Sequence, residues 1–487
     1  MTVPPVRVRR LNAGTMNAAS DYVLYWMTSY RRAGWNFALQ RAVDHALELR
    51  KPLLVLEALR CDYEWASDRL HSFVLEGMVD NERRFQECGI AYYPYVEPEA
   101  GAGKGLLREL SGRACVVVTD DFPSFFLPRA VATAAKQVAV LLEQVDSVGI
   151  LPMRDADRAF PTAYAFRRFL QQTLPARLEE FPEPDSLARA ASLPAAIVPE
   201  EIRRRWPPML VGDGASVQAL VASLPIDHSV GAVKLRGGED AVNRVLVTFV
   251  GERLDGYAGD ASNPGLDATS GLSPYLHFGH ISSHQVLRAV LTREEWHPGR
   301  ISGRADGRRS GWWGLSAPAE AFLDQLITWR ELGFNFCHVR EDYDRIESLP
   351  LWARETLQKH AVDPRPHLYS RQELEVAETH DPVWNGAQRQ LLHEGRIHNY
   401  LRMLWGKKIL EWTASPQEAL DVMIHLNNKY ALDGRDPNSY SGIFWCLGRY
   451  DRPWGPERPI FGKARYMSSE NTRRKFRLDM SGHRKGI

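Results

Sequence analysis

Three tryptophans, Trp384, Trp405 and Trp412, stand in segments whose apolar residues recur at helical spacing. Indoles can be oxidised singly inside an apolar bundle, but a Trp at such spacing is more often plain core. Residues 398–412 carry Leu401, Leu404, Trp405, Ile409 and Trp412 along one helical stripe, with Arg402 and Met403 on the same helix. Ser415-Pro416 opens the next helix, where Ser can cap and Pro can occupy the first turn, and Asn427 sits near its end. Asp433-Gly434-Arg435-Asp436-Pro437-Asn438 then reads as a turn of alternating charge between apolar flanks. Upstream, Thr269, Ser270 and Ser273, with Gly271 and Leu272 among them, precede another helical run. Small hydroxyl residues at such a place can cap the helix or let backbone amides approach a phosphate.

These residues need a scaffold, and the chain offers two kinds. Within residues 1–150, short apolar runs at 22–27, 53–58, 90–95, 115–119 and 138–145 alternate with helical ones at 41–49 and 70–88. That alternation predicts a parallel sheet covered on both faces, a Rossmann-like α/β domain. Neither a G-x-G-x-x-G nor a P-loop follows the first strand, so ordinary nucleotide chemistry has no support there. Residues 151–225 are interrupted by Pro182, Pro184, Pro194, Pro199, Pro207 and Pro208 and read as a connector with short helices such as 164–174. Residues 226–487 are helical in pattern, with runs at 242–254, 282–291, 319–337, 351–360, 371–379, 384–394, 398–412 and 416–430. They predict a large all-α domain.

Several ordered motifs resemble those of the photolyase/cryptochrome family, and specifically its class II cyclobutane pyrimidine dimer photolyases. The run from Thr269 to Gly279 is similar to TSGLSPYLHFG, with Tyr257 upstream of it. Arg330-Glu331-Leu332 and Asn335-Phe336 resemble REL..NF, and the run from Thr379 to Asn385 resembles THDPLWN. Asp433 to Asn438 reads DGRDPN, and Arg458 to Lys463 reads RPIFGK.

The resemblance implies an FAD-binding helical domain and a light-driven lyase. One electron passed from reduced FAD to a pyrimidine dimer flipped out of DNA would split the cyclobutane and then return. It assigns the cofactor to Tyr257, Thr269, Ser270, Gly271, Leu272, Ser273, Arg330, Arg402, Asp433, Asp436 and Asn438. Arg402 and Asp433 are expected to pair beside the flavin ring, and Asn427 to face its N5. Trp384, Trp405 and Trp412 are expected to carry electrons to the flavin. The lesion pocket is expected to involve Gln325, Trp329, Asn399, Met403, Asn427 and Trp445, with Arg452 and Arg465 toward damaged DNA. The α/β domain is where the family carries an optional antenna chromophore, whose identity has no signal here.

The substrate side departs from the class II pattern. Gln325 stands where dimer-repairing members keep a Glu against the lesion; it can still hydrogen-bond but cannot offer a carboxyl group. Asn399 and Ser439 each replace a Gly, and the loop before Asp451-Arg452 is one residue short. A cryptochrome-like photoreceptor, or a flavoenzyme acting on a small molecule or a protein partner, therefore stays open beside DNA repair.

Composition bounds the setting. The 487 residues are 44% hydrophobic and 25% charged, as in ordinary globular proteins. No apolar run approaches the roughly 18 residues of a membrane span, and the N-terminal residues lack the apolar core of a signal peptide, so a cytoplasmic protein without membrane partners is expected. Five cysteines are scattered singly, without metal-site spacing. A formal net charge of +1 lends no support to DNA binding, although basic residues cluster at 203–205, 304–309 and 473–477.

Overall fold

Short apolar runs become strands here because they are buried on both faces, as a parallel sheet requires. The computed structural model describes residues 2–209 and 214–478. Its six strands are β1 (Val8–Arg10), β2 (Tyr22–Met27), β3 (Leu53–Leu59), β4 (Ala91–Val96), β5 (Ala114–Asp120) and β6 (Leu142–Val145). Their order is β1-β6-β5-β2-β3-β4, parallel except where β1 runs antiparallel to β6. Every residue of β5 is buried. Helix α1 (Phe37–Leu49) packs on β2 and β5, capped by Asn36, whose side chain accepts from the amides of Ala38 and Leu39. Helix α2 (Asp68–Glu87) packs on β4.

At the carboxyl end of β5 the Asp120 carboxylate accepts from the amides of Thr28, Ser29 and Tyr30 at 2.8, 2.7 and 3.0 Å, and from Tyr25 Oη at 2.7 Å. Such strand-end amides commonly hold a nucleotide phosphate; here a carboxylate of the chain itself takes them.

By compactness the chain divides into Met1–Ala156, Ala176–Thr248 and Gly271–Glu295 on one side and Asp157–Pro175, Phe249–Ser270 and Trp296–Ile487 on the other. The three consecutive segments read from the sequence thus do not coincide with the compact units, because stretches beyond the sheet pack within its unit. Met1, residues 210–213 and residues 479–487, which those segments include, lie outside the described residues.

The second unit is built on helices α3 (Arg330–Val339), α4 (Pro382–Glu394), α5 (Asn399–Trp412), α6 (Pro416–Tyr430) and α7 (Pro437–Cys446). Ser415 caps α6 and Asp381 caps α4, each accepting from first-turn amides. The helical run expected at 319–337 is three pieces: Ala317–Leu323, a π-helical Asp324–Trp329, then α3. Its apolar spacing is blind to that widening. The π segment is anchored by Asp324, which takes a bidentate ion pair from Arg167 at 2.7 and 3.0 Å. Helix α3 lies close against the start of α7: a Cβ on Gly333 would come within 2.7 Å of Asn438 Cα.

Candidate active site

The turn joining α6 to α7 is an interior structure. Arg435 has φ +65° and is 3% exposed; its amide donates to Asn428 Oδ1 at 2.8 Å and its guanidinium to the Asn428 carbonyl. A Cβ on Gly434 would sit 2.6 Å from the Asn427 carbonyl oxygen, so the turn requires glycine there. Asp436 starts α7 by accepting from the Asn438 amide at 2.9 Å, while Asn438 itself is exposed. This geometry delivers Asp433 to Arg402 of α5, Nη2 to Oδ1 at 2.9 Å, with side chains 20% and 15% exposed. Arg402 Nε is buried without a hydrogen-bond partner among the described residues. Asn427 is buried on α6, and its Nδ2 donates to Ser439 Oγ at 2.7 Å and Asn428 Oδ1 at 3.2 Å.

The three tryptophans are among the largest fully buried side chains. Trp384 and Trp405 have ring centroids 6.5 Å apart and planes within 1°. Trp412 meets Trp384 edge-on at 5.6 Å. Hydrogen bonds fix two of the rings: Trp384 Nε1 donates to the Trp405 carbonyl at 3.0 Å, and Trp405 Nε1 to Gln388 Oε1 at 2.8 Å. Beyond Trp412 lie half-buried Tyr369, 5.6 Å away, and exposed His380, 5.2 Å away. Tyr369 Oη is 2.7 Å from His380 Nδ1. Partial burial and neighbouring His367 hold His380 below its ordinary pKa, which keeps the ring neutral and able to take a proton. Sequence reasoning missed this outer pair, since an isolated Tyr carries no signal.

Of the residues expected at the lesion pocket, Trp329 and Trp445 stack with centroids 4.6 Å apart and planes at 14°. Both are half-buried. Gln325 is exposed and four residues before Trp329 on the π segment, a spacing that shares a face when hydrogen bonds run from i to i+5. Half-buried Met403 has its sulfur 3.9 Å from Cys446 Sγ, next in sequence to Trp445. Asn399 is exposed at the start of α5. Arg452 and Arg465, both exposed, converge on the ring of Trp454, 5.1 and 5.5 Å from its centroid. Trp454 is 39% exposed and was not singled out from sequence.

Other expected cofactor residues are placed more loosely. Tyr257 lies edge-on to Phe249 and Phe322, and burial pushes its hydroxyl up to about 12. Arg330 is buried over the Phe334 ring. Thr269, Ser270 and Gly271 are half-buried, Leu272 buried and Ser273 exposed. The N-cap position of the short helix at Ser273–Phe278 is Leu272, which makes no side-chain cap hydrogen bond. Gly271, with φ +70°, takes a conformation suited to glycine.

No protein-family model matches the chain. It is 34% identical over 476 residues to a deoxyribodipyrimidine photo-lyase of Methanothermobacter thermautotrophicus, covering 97% of this chain and 96% of that protein. Proteins of the same name from Arabidopsis thaliana and Potorous tridactylus are 32% and 34% identical, over 98% and 94% of this chain and 92% and 80% of theirs. In fold it is similar to a class III photolyase of Agrobacterium tumefaciens, with TM-score 0.68, 16% identity, and coverage of 95% of this chain and 85% of that one. A Synechocystis cryptochrome gives TM-score 0.62 at 12% identity, over 95% and 87%. The chain therefore belongs to the photolyase/cryptochrome family, with its parallel α/β domain and largely helical C-terminal region. Within that family it resembles the class II type. Among the described residues, no helix is long and apolar enough to cross a membrane.

Proposed function

We propose that this chain is a light-driven lyase that holds FAD in its helical unit and splits cyclobutane pyrimidine dimers in DNA. The observation that carries the reading is the stacked, half-buried pair Trp329–Trp445 with exposed Gln325 on the same helical segment. A flipped base pair can stack on such indoles, and flipping is what brings a lesion out of the duplex. Bound and reduced FAD supplies a light-excitable one-electron donor.

The residues fit that cofactor. Arg402 keeps a buried Nε without a hydrogen-bond partner among the described residues, and its pairing with Asp433 leaves a fixed positive group to stabilise negative charge on a flavin ring. Asn427 offers an amide to the same purpose: its Nδ2 donates to Asn428 and Ser439, and its Oδ1 receives no donor among the described residues. Trp405, Trp384 and Trp412 offer a continuous file of indoles, and the Tyr369–His380 pair offers a surface terminus where electron loss by the phenol can be matched by proton transfer to His380. Arg452, Arg465 and Trp454 offer cations and an aromatic face to a nucleic acid.

Gln325 favours a second reading, a photoreceptor or a flavoenzyme with another substrate, because a neutral amide stands where dimer-repairing relatives keep a carboxyl group. An oligonucleotide carrying one cyclobutane dimer separates the two. The repair reading predicts dimer loss under blue light and none in the dark, with Trp329→Ala and Trp445→Ala weakening lesion binding. FAD-loaded protein that neither binds nor repairs the oligonucleotide would support the second reading.

A further inference from the structure

Ser439 stands where the class II pattern has a Gly, and its hydroxyl lies 2.7 Å from Asn427 Nδ2. We infer that Ser439 is a positioning residue that locks the Asn427 amide as a hydrogen-bond acceptor, making the site selective for reduced, N5-protonated flavin over oxidised flavin. This deepens the proposed function and rests on its placing of FAD against Asn427.

The orientation of the amide follows from a donor that cannot be reversed. The main-chain N–H of Arg435 is 2.8 Å from the Asn428 side chain, so the atom facing it must be Oδ1. Asn428 Nδ2 then donates to Tyr440 Oη at 3.1 Å. The Asn427 atom 3.2 Å from Asn428 Oδ1 must in turn be its nitrogen, since an oxygen there would set acceptor against acceptor. The second hydrogen of that nitrogen goes to Ser439 Oγ. Both N–H groups of Asn427 are thereby committed, and the amide has only Oδ1 left to offer. All the groups are buried: Asn427 is 2% exposed, Asn428 0% and Ser439 6%.

An acceptor discriminates between the two flavin states. Reduction adds two electrons, from the reductant, and one proton, from water, at N5. Oxidised N5 carries a lone pair and needs a donor; reduced N5 carries a hydrogen and needs an acceptor. A glycine at 439 would remove the shorter of the two bonds that hold the Asn427 nitrogen, leaving the 3.2 Å bond to Asn428 Oδ1 as the restraint against rotation of the amide toward oxidised N5; the serine supplies the second restraint. Ser439 therefore raises the flavin midpoint potential and disfavours the oxidised state.

The test is a dithionite titration of FAD-loaded protein against dyes of known potential, for the parent, Ser439→Ala, Asn427→Ala and the double variant. Ser439→Ala should move the oxidised-to-reduced equilibrium about tenfold toward the oxidised form, as one hydrogen bond can do, or about 30 mV downward for a two-electron couple. In the Asn427→Ala background the shift should vanish. An unchanged potential in Ser439→Ala, or an equal shift without Asn427, overturns the inference. If Ser439→Ala does not retain flavin, the parent apoprotein decides: it should bind dithionite-reduced FAD about tenfold more tightly than oxidised FAD, and equal or reversed affinities overturn the inference. A parent that binds neither form overturns the FAD reading itself, an outcome distinct from these.

Discussion

Arg402→Ala and Asp433→Ala probe the ion pair that the proposed function sets against the flavin. Their side chains meet at 2.9 Å and are 20% and 15% exposed, between the fully buried and the surface case. Breaking a fully buried pair leaves a stranded charge that costs about 3–5 kcal/mol, whereas an exposed pair is worth roughly 0–1 kcal/mol. The intermediate burial puts the loss near ~2 kcal/mol, about a 30-fold weaker dissociation constant for FAD. Arg402→Ala should be the more damaging of the two, because it also removes the buried Nε, which has no partner among the described residues. Titrating apoprotein with FAD by flavin fluorescence, alongside the flavin-to-protein absorbance ratio of purified material, measures this. Full occupancy and an unchanged dissociation constant in both variants would refute an ion pair acting on the cofactor.

Three further expectations concern electron supply, burial and DNA. Trp384→Phe removes the indole lying between Trp405 and Trp412 and should slow photoreduction of oxidised FAD by an external thiol without releasing the cofactor; parental rates would make the indole a packing residue. Lys407 is fully buried with an unpartnered Nζ, and burial, partly offset by Cys446 and Asp451, brings its pKa down to about 8. Because the unfolded chain binds that proton more tightly, the penalty is complete below pH 8 and fades as pH rises toward the unfolded value of 10.5. Lys407→Met should therefore stabilise the protein at pH 7, by an amount on the order of 3 kcal/mol, in denaturant melts, with the gain shrinking above pH 8; a pH-independent gain would contradict it. Arg465→Ala should flatten the dependence of log affinity on log salt for duplex DNA by about 0.9 if that guanidinium meets a phosphate; an unaltered slope would show that it does not.

Much of this architecture was legible because burial writes itself into residue type. The strand at Tyr22–Met27 was expected to the residue, and β3 and β5 to within two residues, since each is an apolar run buried on both faces. Strand β1, Val8–Arg10, was not, because an edge strand tolerates the charges that hide it. The run expected at 138–145 shrank to Leu142–Val145: Val138 is buried but lies before the ladder begins. Helix α7 was missed because the Asp433–Asn438 signal reads only as a turn, although Asp436 and Pro437 there are also a cap and a first helical residue. The candidate site divides similarly. The family resemblance singled out the three tryptophans, since a Trp at helical spacing reads by itself as core, but their order in space, and the Tyr369–His380 pair beyond them, depend on how α4 and α5 cross. The Asn427–Ser439 hydrogen bond spans two helices and a left-handed turn, which no periodicity encodes.

The central claim, that this pocket repairs a pyrimidine dimer with glutamine in place of the customary carboxylic acid, is tested most directly by dimer repair per absorbed photon in the parent and Gln325→Glu, with lesion affinity measured alongside. Gln325 is exposed, so the added carboxylate meets no burial penalty in the free protein. The account predicts repair by the parent and a higher yield in Gln325→Glu at nearly equal affinity, because the restored group acts mainly once the dimer has gained an electron. Absence of repair by both proteins, each carrying FAD that still photoreduces, would contradict it.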